Sequence, residues 1–179
     1  MITAGHIKSL LELQKATNVA YFGDEWRNHW TEVAVVNSVY REWAEFLDEV
    51  SSSWKIYGSD QQWHQVNAIY ELVDVVHFML SRLLLSHQAI EIEMSDEYFG
   101  VEIAEVNNFN VVTTMFTTFM TAPTCQNLAY FIAYACPYLG IDIETYMLAH
   151  KRKNDRNRLR AAGGAGYDKS AETPLTLEF

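Results

Sequence analysis

The sequence predicts an all-α protein, a helical bundle around one core, and three observations lead there. Glycine and proline number eight and three in 179 residues, too few breakers for a turn-rich all-β sandwich. Apolar residues recur at three- and four-residue spacing over long stretches, the period of a helix face. Hydrophobic residues make up 49% and aromatic residues 13% of the chain, enough to fill a core without disulfide or metal staples.

The elements follow in order. Ile7, Leu10, Leu11, Leu13 and Val19 mark a first amphipathic helix that ends near Gly23. A loop rich in Trp, Asp and Asn runs from there to about Thr31. From Glu32 to Ser52 the apolar positions Val35, Val36, Val39, Trp43, Phe46, Leu47 and Val50 predict a second helix, stopped by the Ser51–Ser53 run. A third, apolar on nearly every side, spans about Gln61 to His87. Glu91–Glu97 reads as an acidic, solvated connector. Pro123 separates a fourth helix from a fifth, although Val111-Val112-Thr113-Thr114 gives the fourth some strand character. Gly140 and Asp142 mark the start of a last helix, which stops at Gly163-Gly164. Residues 1–167 thus read as one domain and residues 168–179 as a tail. The apolar end of that tail, Pro174 to Phe179, reads as exposed and is loosely like peptides that dock in replication-clamp grooves.

Charge and cysteine content narrow the function. A net charge of −10 repels phosphate backbones and disfavours a general nucleic-acid binder. The longest apolar stretch, Leu128 to Ile141, is too short to span a bilayer and contains Pro137. Cys125 and Cys136 form neither a secreted-type framework nor a zinc-ligand spacing. With no basic, apolar leader in MITAGHIKSLLELQ, a reducing cytoplasm is the expected location.

Two pairs of carboxylates then stand out. Glu42 and Glu45 form an E-x-x-E pair in the second helix, and Glu71 and Asp74 an E-x-x-D pair in the third. Residues three apart share a helix face, so two such helices packed together can converge four oxygen ligands on a hard cation such as Mg²⁺. For the first pair taken alone, a solvated acidic face, with Asp48 and Glu49 nearby, is the reading the sequence favours. The second pair is surrounded by Leu72, Val73, Val75, Val76, Phe78, Met79 and Leu80. Buried carboxylates there need a cation or a full hydrogen-bond set. Phe78 lies one turn on from Asp74, where it can pack a nucleobase or fill core. His77 reads as a core histidine with its partners satisfied.

The last helix carries six of the thirteen basic residues, Lys151, Arg152, Lys153, Arg156, Arg158 and Arg160. Lys153, Asn157 and Arg160 share one face, which can hold the phosphates of a small ligand. Cations at a helix C-terminus also answer its dipole. The glycine-rich run at 161–166 lacks the Gly-Lys-Ser/Thr of a P-loop. An acidic nest beside a basic face suggests metal-bridged polyphosphate chemistry.

The segments Tyr40-Arg41-Glu42-Trp43-Ala44-Glu45-Phe46-Leu47-Asp48, Trp54-Lys55 and Glu71-Leu72-Val73-Asp74-Val75-Val76-His77-Phe78 resemble the dimeric all-α dUTPases. That family is related to MazG-type pyrophosphatases and includes bacteriophage dCTP/dUTP pyrophosphatases. Lys153-Asn154-x-x-Asn157-x-x-Arg160 with Gly166-Tyr167, and Leu13-Gln14-Lys15-Ala16-Thr17-Asn18, are similar to further family motifs, so the resemblance covers about residues 7–168. It implies an all-α NTP pyrophosphatase fold, a homodimer, and Mg²⁺-dependent hydrolysis of dUTP to dUMP and pyrophosphate, with Mn²⁺ as an alternative ion. The location implied is cytoplasmic, in the host if the chain is phage-encoded. Glu42, Glu45, Glu71 and Asp74 would bind the metal, with Glu42 also activating water. Gln14, Asn18, Trp54 and Phe78 would surround the pyrimidine, and Lys55, Lys153, Asn157, Arg160 and Tyr167 would lie near phosphates or sugar. Three features depart from the family pattern. Ile56-Tyr57-Gly58 stands where a second Trp-Lys is common, the gap from Arg160 to Gly166 is longer, and the chain is short between the third and last helices. The same reaction on dCTP or another nucleotide, and a non-catalytic nucleotide-binding helical module, remain as alternatives.

Overall fold

Among the described residues, helix starts are set by side-chain caps in five places. Thr3 precedes α1 (Ala4–Phe22), Thr31 precedes α2 (Glu32–Glu49), Asn108 precedes α4 (Phe109–Thr121), Thr124 precedes α5 (Cys125–Tyr138) and Asp142 precedes α6 (Ile143–Gly163). Each cap oxygen accepts from a backbone N–H of the first turn that has no partner within the helix. At Thr3 the bond is reciprocated, because its own N–H donates to His6 Nδ1 at 3.1 Å. α3 (Gln65–Leu85) starts without a side-chain cap. These spans come from a computed structural model that describes residues 1–86, 99–103, 108–164 and 168–177. The acidic connector Glu91–Glu97 and Tyr167 lie outside the described residues.

The fold is all-α, as the sequence predicts. α3 is its axis. Thirteen of its residues are buried, from Ala68 to Leu84, and it packs along α2 most extensively, then against α1, α6 and α5. That is why its sequence shows so little polar stripe. α4 packs on α5, and α1 on α6. Trp43 stacks on Phe116 at 4.2 Å and meets Phe131 edge-on at 6.1 Å, joining α2 to α4 and α5.

Several boundaries differ from the sequence expectation, each for a local reason. α3 starts at Gln65, not Gln61, because the residues before it tie back to the end of α2. Ser52 N donates to Gln62 O, Gln62 N to Ser51 Oγ, and His64 N to Glu49 O. The loop after α1 contains a 3₁₀ turn, Trp26–His29, anchored by the buried Trp26. The β-branched run of α4 is helical: Thr113, Thr114, Thr117 and Thr118 each return a hydroxyl bond to the carbonyl four residues earlier. A short antiparallel pair, β1 (Ile2–Thr3) with β2 (Gly100–Val101), was not expected, and it buries Ile2 and Val101.

The tail corrects a second expectation. Leu177 is buried and Leu175 packs on the core, while Pro174 and Thr176 are exposed, so the two leucines are not free as the sequence suggested. Two residues apart on an extended chain, both leucines can face the same way. Arg152 donates to Thr176 O at 2.5 Å, Arg156 to Thr173 O, and Tyr70 Oη to Thr176 O at 3.3 Å. A clamp-docking peptide needs these apolar side chains free, and here they cover α3 and α6.

Candidate active site

The E-x-x-E and E-x-x-D spacings place Glu42 and Glu45 on α2 and Glu71 and Asp74 on the neighbouring α3. Glu42, Glu45 and Glu71 each offer a carboxylate oxygen, and the three oxygens lie within 4.8 Å of one another. Burial pushes the Glu42 carboxyl up to about 7, and the charges of Asp74 and Glu45 add to it. Burial likewise pushes Glu71 up to about 7, again with help from Asp74. Glu42 and Glu71 are therefore partly protonated at neutral pH when no cation neutralises them. The all-oxygen donor set fits a hard divalent ion.

Asp74 is in the same nest but held differently. Its Oδ2 is 2.5 Å from Lys153 Nζ on α6, and its Oδ1 is 3.3 Å from His77 Nδ1. Burial alone would raise its pKa, but the His77 hydrogen bond and the Lys153 charge outweigh burial and hold it below the ordinary carboxylate range. His77 is in turn oriented from α6. Asn154 Nδ2 donates to His77 Nε2 at 2.9 Å and to His150 O at 3.0 Å, while Asn154 Oδ1 accepts from Thr17 Oγ1 at 2.6 Å. With Nε2 accepting, the ring proton sits on Nδ1 and points at Asp74. His77 is thus the satisfied core histidine expected from sequence, and it steadies an acid.

Glu42, Glu45, Asp74 and His77 open onto a cavity of about 420 Å³ whose walls come from α1, α2, α3, α6 and the loop after α1. At one end lie amides and aromatic rings. Gln14 Nε2 donates to Asn18 Oδ1 at 3.0 Å and to Ser81 Oγ at 3.1 Å, and Asn18 Nδ2 donates to the same hydroxyl at 3.3 Å. Gln14 is only 5% exposed, yet its Oε1 has no partner among the described residues. Trp30 meets Phe78 edge-on at 5.7 Å, and its buried Nε1 likewise has no partner among the described residues. Buried polar atoms left unpaired are costly, so an acceptor and a donor in one pocket wall mark a place for a polar ligand edge. At the other side, Asn157 and Arg160 line the cavity, with Arg160 Nη1 donating to Asn157 Oδ1 at 3.2 Å.

The structure therefore brings together Gln14, Asn18, Phe78, Glu42, Glu45, Glu71, Asp74, Lys153, Asn157 and Arg160. It does not bring Trp54 and Lys55 to them. Trp54 Nε1 donates to Leu47 O at 2.8 Å and its ring packs on the core. Lys55 pairs with Asp60 at 2.7 Å, and both residues line a separate hollow with Asp48 and Tyr57. Sequence reasoning missed Ser81, Trp30, Thr17 and Asn154. Ser81 was findable, being seven residues after Asp74 and three after Phe78 on one helix face. Trp30 sits in a loop whose sequence has no period, so nothing local marks it. A larger hollow of about 570 Å³ lies between α1 and α6, lined by Leu13, Met147 and Leu148, but holds none of these groups.

Comparison with protein families matches residues 6–165 to a family described as dUTPase. A search among curated proteins gives no match.

Proposed function

Because the chain belongs to the dUTPase family and is on that ground a nucleotide pyrophosphatase, we propose that its cavity hydrolyses a pyrimidine deoxynucleoside triphosphate, dUTP foremost. Water is added across the α–β phosphoanhydride, one P–O bond breaks, and dUMP and pyrophosphate leave. The observation that carries the reading is a cavity lined by Glu42 and Glu45 of the three-carboxylate nest together with an amide-and-aromatic end.

Glu42, Glu45 and Glu71 would hold Mg²⁺, or Mn²⁺ in its place, with Asp74 completing the acidic set through its bond to Lys153. When bound, the cation supplies neutralisation of polyphosphate charge and polarisation of a water molecule. Glu42, a carboxylate of that nest, would orient the attacking water and take its proton. Gln14, Asn18 and Phe78 embrace the base, Trp30 closes over its edge, and Asn157 and Arg160 meet the phosphates. The triphosphate is a small-molecule substrate; among the described residues no helix is long and apolar enough to cross a bilayer. Residues 1–167 form the catalytic domain, with residues 168–179 as its tail. The working form is a homodimer in the cytoplasm, supported by the family and by Val33 and Tyr40, exposed seven residues apart on α2.

A second reading, dCTP as substrate, is favoured by one feature. The Ser81 hydroxyl can donate as well as accept, so the Gln14–Asn18–Ser81 bonds can reverse and present a donor where Oε1 now stands. Pyrophosphate release measured over dUTP, dCTP, dTTP and a purine triphosphate, with and without Mg²⁺, decides. The account expects Mg²⁺-dependent turnover with dUTP in front. Nucleotide binding without turnover would instead support the non-catalytic module.

A further inference from the structure

Arg160 reaches the cavity on a guanidinium that the tail grips from behind. Its Nε and Nη2 donate to the two carboxylate oxygens of Glu172 at 2.6 and 2.7 Å, a two-pronged pair. Nη1 donates back along α6 to Asn157. Three of the five N–H groups are thus assigned among the described residues, and the end formed by Nη1 and Nη2 retains one proton on each. That end has the spacing a phosphate accepts two-pronged.

Glu172 does not fill the cavity. It lines a different hollow, with Arg152, Arg156 and Leu175, so it approaches Arg160 from outside the substrate space. Nor is it loosely held. Its side chain is 11% exposed, it also lies 3.4 Å from Arg156 Nη1, and the backbone that follows it is pinned by Arg156 at Thr173 O, Arg152 at Thr176 O and the buried Leu177. A bulk-solvated ion pair costs side-chain entropy to order and gives little back. Here the ordering comes with the packed tail.

We propose that Glu172 is a positioning residue for the reaction: through Arg160 it fixes the orientation of the guanidinium that meets the substrate's phosphates. The tail is then part of the catalytic apparatus, because it carries the residue that presets a phosphate ligand before substrate arrives. The opposite role, a carboxylate that mimics phosphate and must be expelled, requires Glu172 to stand in the cavity, and it does not.

This inference rests on Arg160 being a phosphate ligand, so the experiment tests the two separately. Glu172→Gln, Arg160→Ala and the double variant are made in the full chain, and kcat, KM for dUTP and the melting temperature are measured. The expected result is a rise in KM of about tenfold for Glu172→Gln with its melting temperature within a few degrees of wild type, and no further loss when it is added to Arg160→Ala. Glu172→Ala guards against a residual neutral hydrogen bond and should be at least as impaired. A lower KM in Glu172→Gln would overturn the proposal in favour of the competing carboxylate. So would wild-type kinetics of Glu172→Gln beside an impaired Arg160→Ala, or an equal extra loss in the double variant. Wild-type kinetics of Arg160→Ala would overturn the phosphate reading itself, and the proposal with it.

Discussion

Gln14 carries the most specific expectation of any single side chain. Both protons of its amide nitrogen go to Asn18 and Ser81, while its oxygen has no partner among the described residues. A site built to bond a base edge suffers when one partner is removed, because polar groups on both sides are left unmatched. Gln14→Leu should therefore cost about 2–3 kcal/mol in kcat/KM for the preferred pyrimidine, and much less for poor substrates. Kinetics with dUTP, dCTP and dTTP read this, and a uniform drop over all three would make Gln14 a structural residue. Asn154 is the stability counterpart. It is fully buried and joins α6 to Thr17 of α1 and His77 of α3. Asn154→Leu strands both partners and should destabilise the fold by roughly 1–3 kcal/mol in chemical denaturation. It also frees the His77 tautomer, so activity should fall even where the protein is fully folded.

Among the elements, α6 shows how face decides function on one helix. Arg158 pairs with Asp155, whereas Arg160, two residues on, lines the cavity. Arg160→Ala should reduce kcat/KM by about tenfold to a hundredfold, the loss of a charge-assisted contact, and Arg158→Ala should do much less. Equal impairment would indicate a general basic patch. The helices were legible in sequence because period and caps agreed, as at Thr31 and Asp142. The carboxylate pairs were legible because i, i+3 spacing is a property of the helix alone. What escaped depends on distant partners. The position of Trp54 was not legible, because its indole turns back to Leu47 O and no local pattern reports that. The tail read as free because Leu175 and Leu177 look exposed until α3 and α6 are in place beneath them.

For the whole molecule, the acidic nest links stability, pH and ion binding. Glu42 and Glu71 have pKa values of about 7 in the fold against an ordinary 4.5. The folded chain therefore binds more protons than the unfolded one between those values. The stability this confers is fully present below about pH 4.5 and is lost as pH rises through 7 in the metal-free protein. A divalent cation replaces the protons, so the rise in melting temperature on adding Mg²⁺ should be larger at pH 8 than at pH 6. An equal rise at both would place the ion elsewhere. The central claim is that this nest, set on two packed helices, is the catalytic metal site. Glu71→Gln removes one ligand charge from α3 at nearly constant volume, and burying one carboxylate fewer can even raise the metal-free melting temperature. The most direct measurement is dUTP turnover by wild type and Glu71→Gln in saturating Mg²⁺, with folding checked by thermal melting. The account predicts a folded variant with turnover abolished, and a variant as active as wild type would contradict it.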